Sequence, residues 1–92
     1  MGTAREIVRY KKERGGRIIE VVIWYLSEPL SGSSHPYKYR LFYGKADGSC
    51  VVRYDNERGK GDHRHVGDRE EAYQFTTLRK LIEDFEADTK RK

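Results

Sequence analysis

Tyr37-Lys38-Tyr39-Arg40-Leu41-Phe42-Tyr43-Gly44-Lys45-Ala46-Asp47-Gly48-Ser49-Cys50-Val51-Val52-Arg53-Tyr54-Asp55 is the stretch whose reading decides the fold. In an extended chain, Tyr37, Tyr39, Leu41 and Tyr43 fall on one side, and Lys38, Arg40 and Phe42 on the other. The second half alternates in the same way, with Cys50, Val52 and Tyr54 opposed to Val51, Arg53 and Asp55. Asp47-Gly48 lies between them, a pair suited to the positive φ of a tight hairpin turn. Strands are therefore predicted over 37–45 and 49–55. They must run antiparallel, because a parallel return needs a crossover of roughly a dozen residues or more.

Working back toward the N-terminus, residues 17–26 (Arg17 to Leu26) are rich in β-branched and aromatic side chains on both faces, which predicts a central strand. Residues 5–12 alternate loosely as a first strand, and Glu13-Arg14-Gly15-Gly16 reads as the turn between the two. Residues 27–36 hold both prolines, four serines and one glycine, the composition of a mobile loop. His35 within it is expected to be solvated.

Toward the C-terminus, Asn56 to Asp68 reads as a loop rich in glycine and charge, and a short strand is expected around Ala72-Tyr73-Gln74-Phe75. A helix follows. Thr76 or Thr77 can accept a backbone N–H as its cap, and Leu78, Leu81, Ile82 and Phe85 form one apolar stripe. Glu83, Asp84, Glu86 and Asp88 are expected outside that stripe, and Lys90-Arg91-Lys92 to fray. The fold class is thus α+β: an antiparallel sheet of four to five strands, built from hairpins as a meander, with one C-terminal helix packed on one face. Residues 1–92 form a single domain. One helix covers one face only, so the other must meet solvent, a partner or a second copy. The modest core of so short a chain points the same way, to a homodimer or a stabilising complex.

Composition bounds the function. Apolar residues are 36% and charged residues 37%, with seven tyrosines and three phenylalanines, too many aromatics for a disordered chain. Nineteen Lys and Arg against fifteen Asp and Glu give a net charge of +4, which favours polyanions or an acidic protein. The single cysteine, Cys50, sits in an apolar run and reads as a small buried hydrophobe, not a nucleophile. It also argues against a disulfide-stapled secreted domain. Arg5, Glu6, Arg9 and Lys11 interrupt the opening residues, which do not form a signal peptide, and no apolar run approaches the ~20 residues of a membrane span. The cytoplasm is the expected compartment.

Chemistry concentrates in Arg58-Gly59-Lys60-Gly61-Asp62-His63-Arg64-His65, which holds two of the three histidines. Such a mix builds no core. In one reading, Gly59 and Gly61 expose backbone N–H groups to an anion while Arg58, Lys60 and Arg64 supply positive charge. If the run is extended, His63 and His65 share a face about 7 Å apart. One imidazole can then take a proton from a ribose 2′-OH while the other protonates the leaving oxygen, which is ribonuclease chemistry without metal or cofactor. Asp62 would orient a histidine, and Arg40 and Arg53 would extend the phosphate-binding surface. In a second reading, the His-x-His pair ligates a metal with Asp62, Asp55, His35 or Glu57 as third ligand. In a third, the run is a wide hairpin whose glycines serve the turn and whose histidines are solvated. Trp24 and the tyrosines of 37–43 are able to stack on bases, but most of the tyrosines alternate with charge as core residues do.

Several of these segments together resemble the TumE-like toxins of prokaryotic toxin–antitoxin modules. They are Lys38-Tyr39-Arg40-Leu41, Val52-Arg53-Tyr54-Asp55-Asn56, Gly59-Lys60-Gly61-Asp62-His63-Arg64-His65 and Tyr73-Gln74-Phe75, followed by Leu78, Leu81, Ile82, Asp84 and Phe85. They span residues 37–86, with Val22-Ile23-Trp24 as a looser match upstream. The resemblance implies a small cytoplasmic toxin, a cognate helix-turn-helix antitoxin protein as partner, and attack on RNA or translation. It brings no residue roles; those come from the chemistry above. Toxin nucleases with a comparable sheet often place helices before it, whereas here the helix comes last, so their active sites are not carried over. A binding module for RNA or for an acidic antitoxin segment is the alternative function, and a metal-dependent hydrolase the third.

Overall fold

The computed structural model describes residues 2–91. Six strands and one helix follow in chain order: β1 (Ala4–Arg14), β2 (Arg17–Leu26), β3 (Tyr37–Lys45), β4 (Cys50–Glu57), β5 (Gly61–Val66), β6 (Arg69–Ala72) and α1 (Leu78–Arg91). The strands lie in one antiparallel sheet in sequence order, β1 to β6. Both predicted hairpins are present, and β2 is an interior strand, paired with β1 and β3.

The sheet has six strands where the sequence suggested four to five. The difference lies in Asn56 to Asp68, which is not a loop. β4 continues through Asn56 to Glu57, the chain reverses at Arg58-Gly59-Lys60, and the histidine run returns as β5. Gly59 and Gly61 adopt φ of 80° and 75°, so two glycines sharpen the turn that composition alone made look like a long loop. The last strand is Arg69–Ala72, three residues earlier than expected, and 73–77 is irregular.

Alternation distributes the side chains between two faces. Ile19, Val21 and Ile23 of β2, Tyr39, Leu41 and Tyr43 of β3, and Val52 and Tyr54 of β4 form the core beneath α1 with Leu81 and Phe85. Burying Leu81 and Phe85 contributes about 2 kcal/mol each. The Thr77 side chain accepts the Lys80 N–H at 3.1 Å, which settles the cap on Thr77. The apolar stripe runs as predicted and then continues into Asp88 and Thr89, both buried. Asp88 was expected outside the stripe. It is held inside because the Tyr54 hydroxyl and Arg64 both donate to it. The helix extends through Arg91, and of the tail expected to fray only Lys92 lies outside the described residues. Cys50 is exposed, not buried, because β4 begins there at the rim of the sheet.

The loop 27–36 is pinned at several points. Leu26 N–H donates to Pro36 O and Gly59 N–H to Ser31 O, at 2.7 and 2.8 Å. His35 is 6% exposed, not solvated, and stacks on Phe75 with ring centroids 3.9 Å apart. The segment 73–77 thus lies over this loop near the end of the sheet.

Candidate functional site

The turn at 58–60 sets the register of everything after it. Glu57 pairs with Gly61, so Asp55 stands opposite His63 and Arg53 opposite His65. One strand further in, Arg40 is opposite Asp55 and Phe42 opposite Arg53. Two cross-strand rows result, Arg40–Asp55–His63 and Phe42–Arg53–His65, on the face that α1 leaves uncovered. The intervening residues of β5, Asp62 and Arg64, point to the helix face. A run that reads as one cluster is split by the period of the strand.

On the open face, His63 Nε2 lies 2.7 Å from Asp55 Oδ1, and Arg53 Nε lies 3.2 Å from Asp55 Oδ2. The His63 contact is too oblique for a hydrogen bond, and Asp55 Oδ1 and Arg53 Nε are buried without hydrogen-bond partners. Arg53 Nη2 is 2.8 Å from His65 Nε2. A guanidinium only donates, so this imidazole nitrogen accepts and carries its lone pair. Glu70 approaches the same nitrogen at 3.6 Å. The two imidazoles meet edge to face, with centroids 5.6 Å apart. His63 is buried and His65 partly open. Arg40 is exposed on the same face two strands from the histidines, opposite Asp55, and packs on Phe42 at 5.1 Å. Asp55, His63 and His65 also offer ligand atoms within 4.8 Å of one another, a set able to hold a metal.

On the helix face the same strand is tied down. Asp62 Oδ2 accepts from His35 Nε2 at 2.7 Å and from the Tyr39 hydroxyl at 2.6 Å. The histidine that Asp62 meets is His35, not His63 or His65. Arg64 donates to Glu71 at 2.7 Å, to the Tyr54 hydroxyl at 3.1 Å and to Asp88 at 3.4 Å. Burial, then the bond to Asp62, pushes the Tyr39 hydroxyl well above its ordinary value. Burial and then the bond to Asp88 do the same to Tyr54.

The turn itself departs from the anion-cradle reading. Gly59 N–H is committed to Ser31 O, and Lys60 N–H to Glu57 O at 3.1 Å. Arg58 and Lys60 remain exposed at the turn, one strand end away from the histidines. In the sequence, Asp55 stands out only as one of several possible third metal ligands. Its place opposite His63 follows from the three-residue turn at 58–60, which sets the register of β4 against β5.

Among known proteins, the family model described as Toxin TumE matches residues 2–92. No curated protein and no solved structure matches the chain.

Proposed function

The chain belongs to the TumE toxin family, and from that premise we propose that it is the toxin of a toxin–antitoxin module and cleaves RNA without metal, using the open face of the sheet. The observation that carries this reading is the Arg40–Asp55–His63 and Arg53–His65 arrangement on the uncovered face. His65, the more exposed imidazole, has the lone pair at Nε2 that a general base needs once Arg53 swings to phosphate. It takes the proton of a ribose 2′-OH, and the 2′ oxygen attacks phosphorus. The P–O5′ bond breaks, and His63 donates a proton to the departing 5′ oxygen, leaving a cyclic phosphate. Asp55, in contact with both His63 and Arg53, is the carboxylate beside the acid, the place first given to Asp62. Arg53 and Arg40 offset the charge that builds on phosphorus, and Arg58 and Lys60 attract the backbone from the turn.

The test is growth of a host expressing the chain, beside His63→Ala and His65→Ala variants at equal soluble levels, with RNA cleavage by the purified proteins in parallel. Arrest and cleavage by the parent alone support the reading. Variants as active as the parent remove the two histidines from the mechanism. Salt-sensitive RNA binding with no turnover would move the assignment to a binding module.

A metal-dependent hydrolase is favoured by one observation: Asp55 Oδ1 is buried without a hydrogen-bond partner inside a three-ligand group. Both chemistries need Arg53 to move from His65 Nε2, for a cation as for the 2′-OH, so the chelator decides between them. Cleavage that persists in chelator supports the metal-free chemistry. Cleavage lost in chelator and restored by a divalent transition metal would overturn it.

A further inference from the structure

The outer edge of β1 is bare, long and basic. Val8 is its one partly buried residue; the other ten of its eleven are exposed. Arg5, Arg9, Lys11, Lys12 and Arg14 face only Glu6 and Glu13 within the strand. The three exposed large hydrophobics of the described residues, Ile7, Tyr10 and Tyr25, lie on β1 or directly opposite it. Long edge strands of this kind are templates for another strand unless something covers them.

The backbone says which groups are free. Gly15 and Gly16, with φ of 57° and 80°, form a two-residue turn closed by the Arg14–Arg17 pair. Such a closing pair exchanges both of its backbone hydrogen bonds, and the pattern then alternates along the strand. Arg14, Lys12, Tyr10 and Val8 therefore bond inward to β2. Glu13, Lys11 and Arg9 turn their N–H and C=O groups outward.

We infer that this edge is the docking site for an extended, acidic segment of the cognate antitoxin, which adds as a seventh strand beside β1. The inference rests on the toxin reading above. Outward N–H and C=O groups pair with a polypeptide strand, which supplies the complementary ladder, whereas a nucleic acid supplies none. The excess of cations selects acidic side chains on the added strand. It disfavours a second copy, which would bring five more cations to an edge with few carboxylates. Docking here leaves His63 and His65, four strands away, uncovered.

Lys11→Pro tests this with little harm to the fold, since it deletes an N–H that β2 does not use; proline is tolerated on an edge strand in that position. Lys11→Ala controls for loss of the side chain. Both variants are compared with the parent for growth arrest, for rescue by the co-expressed antitoxin, and for antitoxin affinity. Amide exchange is followed at Arg9, Lys11 and Glu13, with circular dichroism confirming the fold. The expected result is that Lys11→Pro still arrests growth, is no longer rescued and binds the antitoxin at least tenfold more weakly. Lys11→Ala should change affinity severalfold, and the outward amides of the parent should gain protection in the complex. Rescue and affinity equal to the parent's, or protection confined to other strands, overturn the inference while the toxin reading stands. Protection of these amides in the free chain that rises with its concentration would instead name a second copy as occupant. A parent that arrests nothing and binds no antitoxin refutes the toxin reading and this inference with it. A Lys11→Pro chain that fails to fold would refute the assignment of outward amides on which the inference stands.

Discussion

The two faces of β5 differ in how completely their polar groups are satisfied. On the helix face, Asp62 accepts from His35 and Tyr39, and Arg64 from the same strand donates to Glu71, Tyr54 and Asp88. On the open face, Asp55 and Arg53 of the neighbouring β4 touch each other and the histidines, but Asp55 Oδ1 and Arg53 Nε make no aligned hydrogen bond, and His65 is partly exposed. Unsatisfied buried groups cost stability, and functional sites are where such costs are tolerated. The contrast separates a fully hydrogen-bonded network from a looser polar cluster, although Asp62 and Arg64 of the one alternate with His63 and His65 of the other along β5.

The sharpest way to break this contrast is a crossed experiment on neighbouring residues. His65→Ala should lower RNA cleavage by about 100-fold or more, the usual weight of a general base, with a small change in melting temperature. Arg64→Ala should do the reverse, leaving the activity of the folded fraction intact. Loss of cleavage in Arg64→Ala at full folding would erase the distinction between the faces.

Asp62→Ala should be the costliest stability change, about 3 kcal/mol, because it strands the His35 ring and the Tyr39 hydroxyl in a buried site. Asp62→Asn keeps an acceptor and should cost about 1 kcal/mol. Denaturant unfolding of both measures the difference, and equal, negligible losses would show that the helix-face network is not structural. Arg64→Ala comes next at about 2 kcal/mol, since it removes a charged donor and leaves the Asp88 carboxylate with Tyr54 alone.

The smallest effect is alkaline. Tyr39, Tyr54 and Tyr73 are each raised above their ordinary value of 10.0, by burial first and by their bonds to Asp62, Asp88 and Asp84 next. The folded chain holds these protons where the unfolded chain releases them. The stability these three hydroxyls contribute is therefore fully present below pH 10 and is lost as pH rises above about 10. Melting temperature measured across that range should decline, and Tyr54→Phe should decline less steeply. A flat profile would mean that these hydroxyls are not held by the network.

The alternation of 37–55 around Asp47-Gly48, the β-branched run of 17–26 and the stripe from Leu78 to Phe85 determine strand type, hairpin pairing and helix face, because each signal is local and periodic. The resemblance carried in residues 37–86 extends to a family match over 2–92. Local signals could not show that Gly59 and Gly61 make a turn tight enough to turn a supposed loop into β5. That turn sets Asp55 opposite His63, sends Asp62 and Arg64 to the other face and gives Asp62 to His35, a residue 27 positions away. Nor could the sequence place Asp88, whose partners Tyr54 and Arg64 come from strands that only packing brings beneath the helix. Residue type and spacing determined which groups are present and which face of their own element they occupy. Register and packing across the sheet decided which of them meet, because a shift of one residue in pairing exchanges the two faces of a strand.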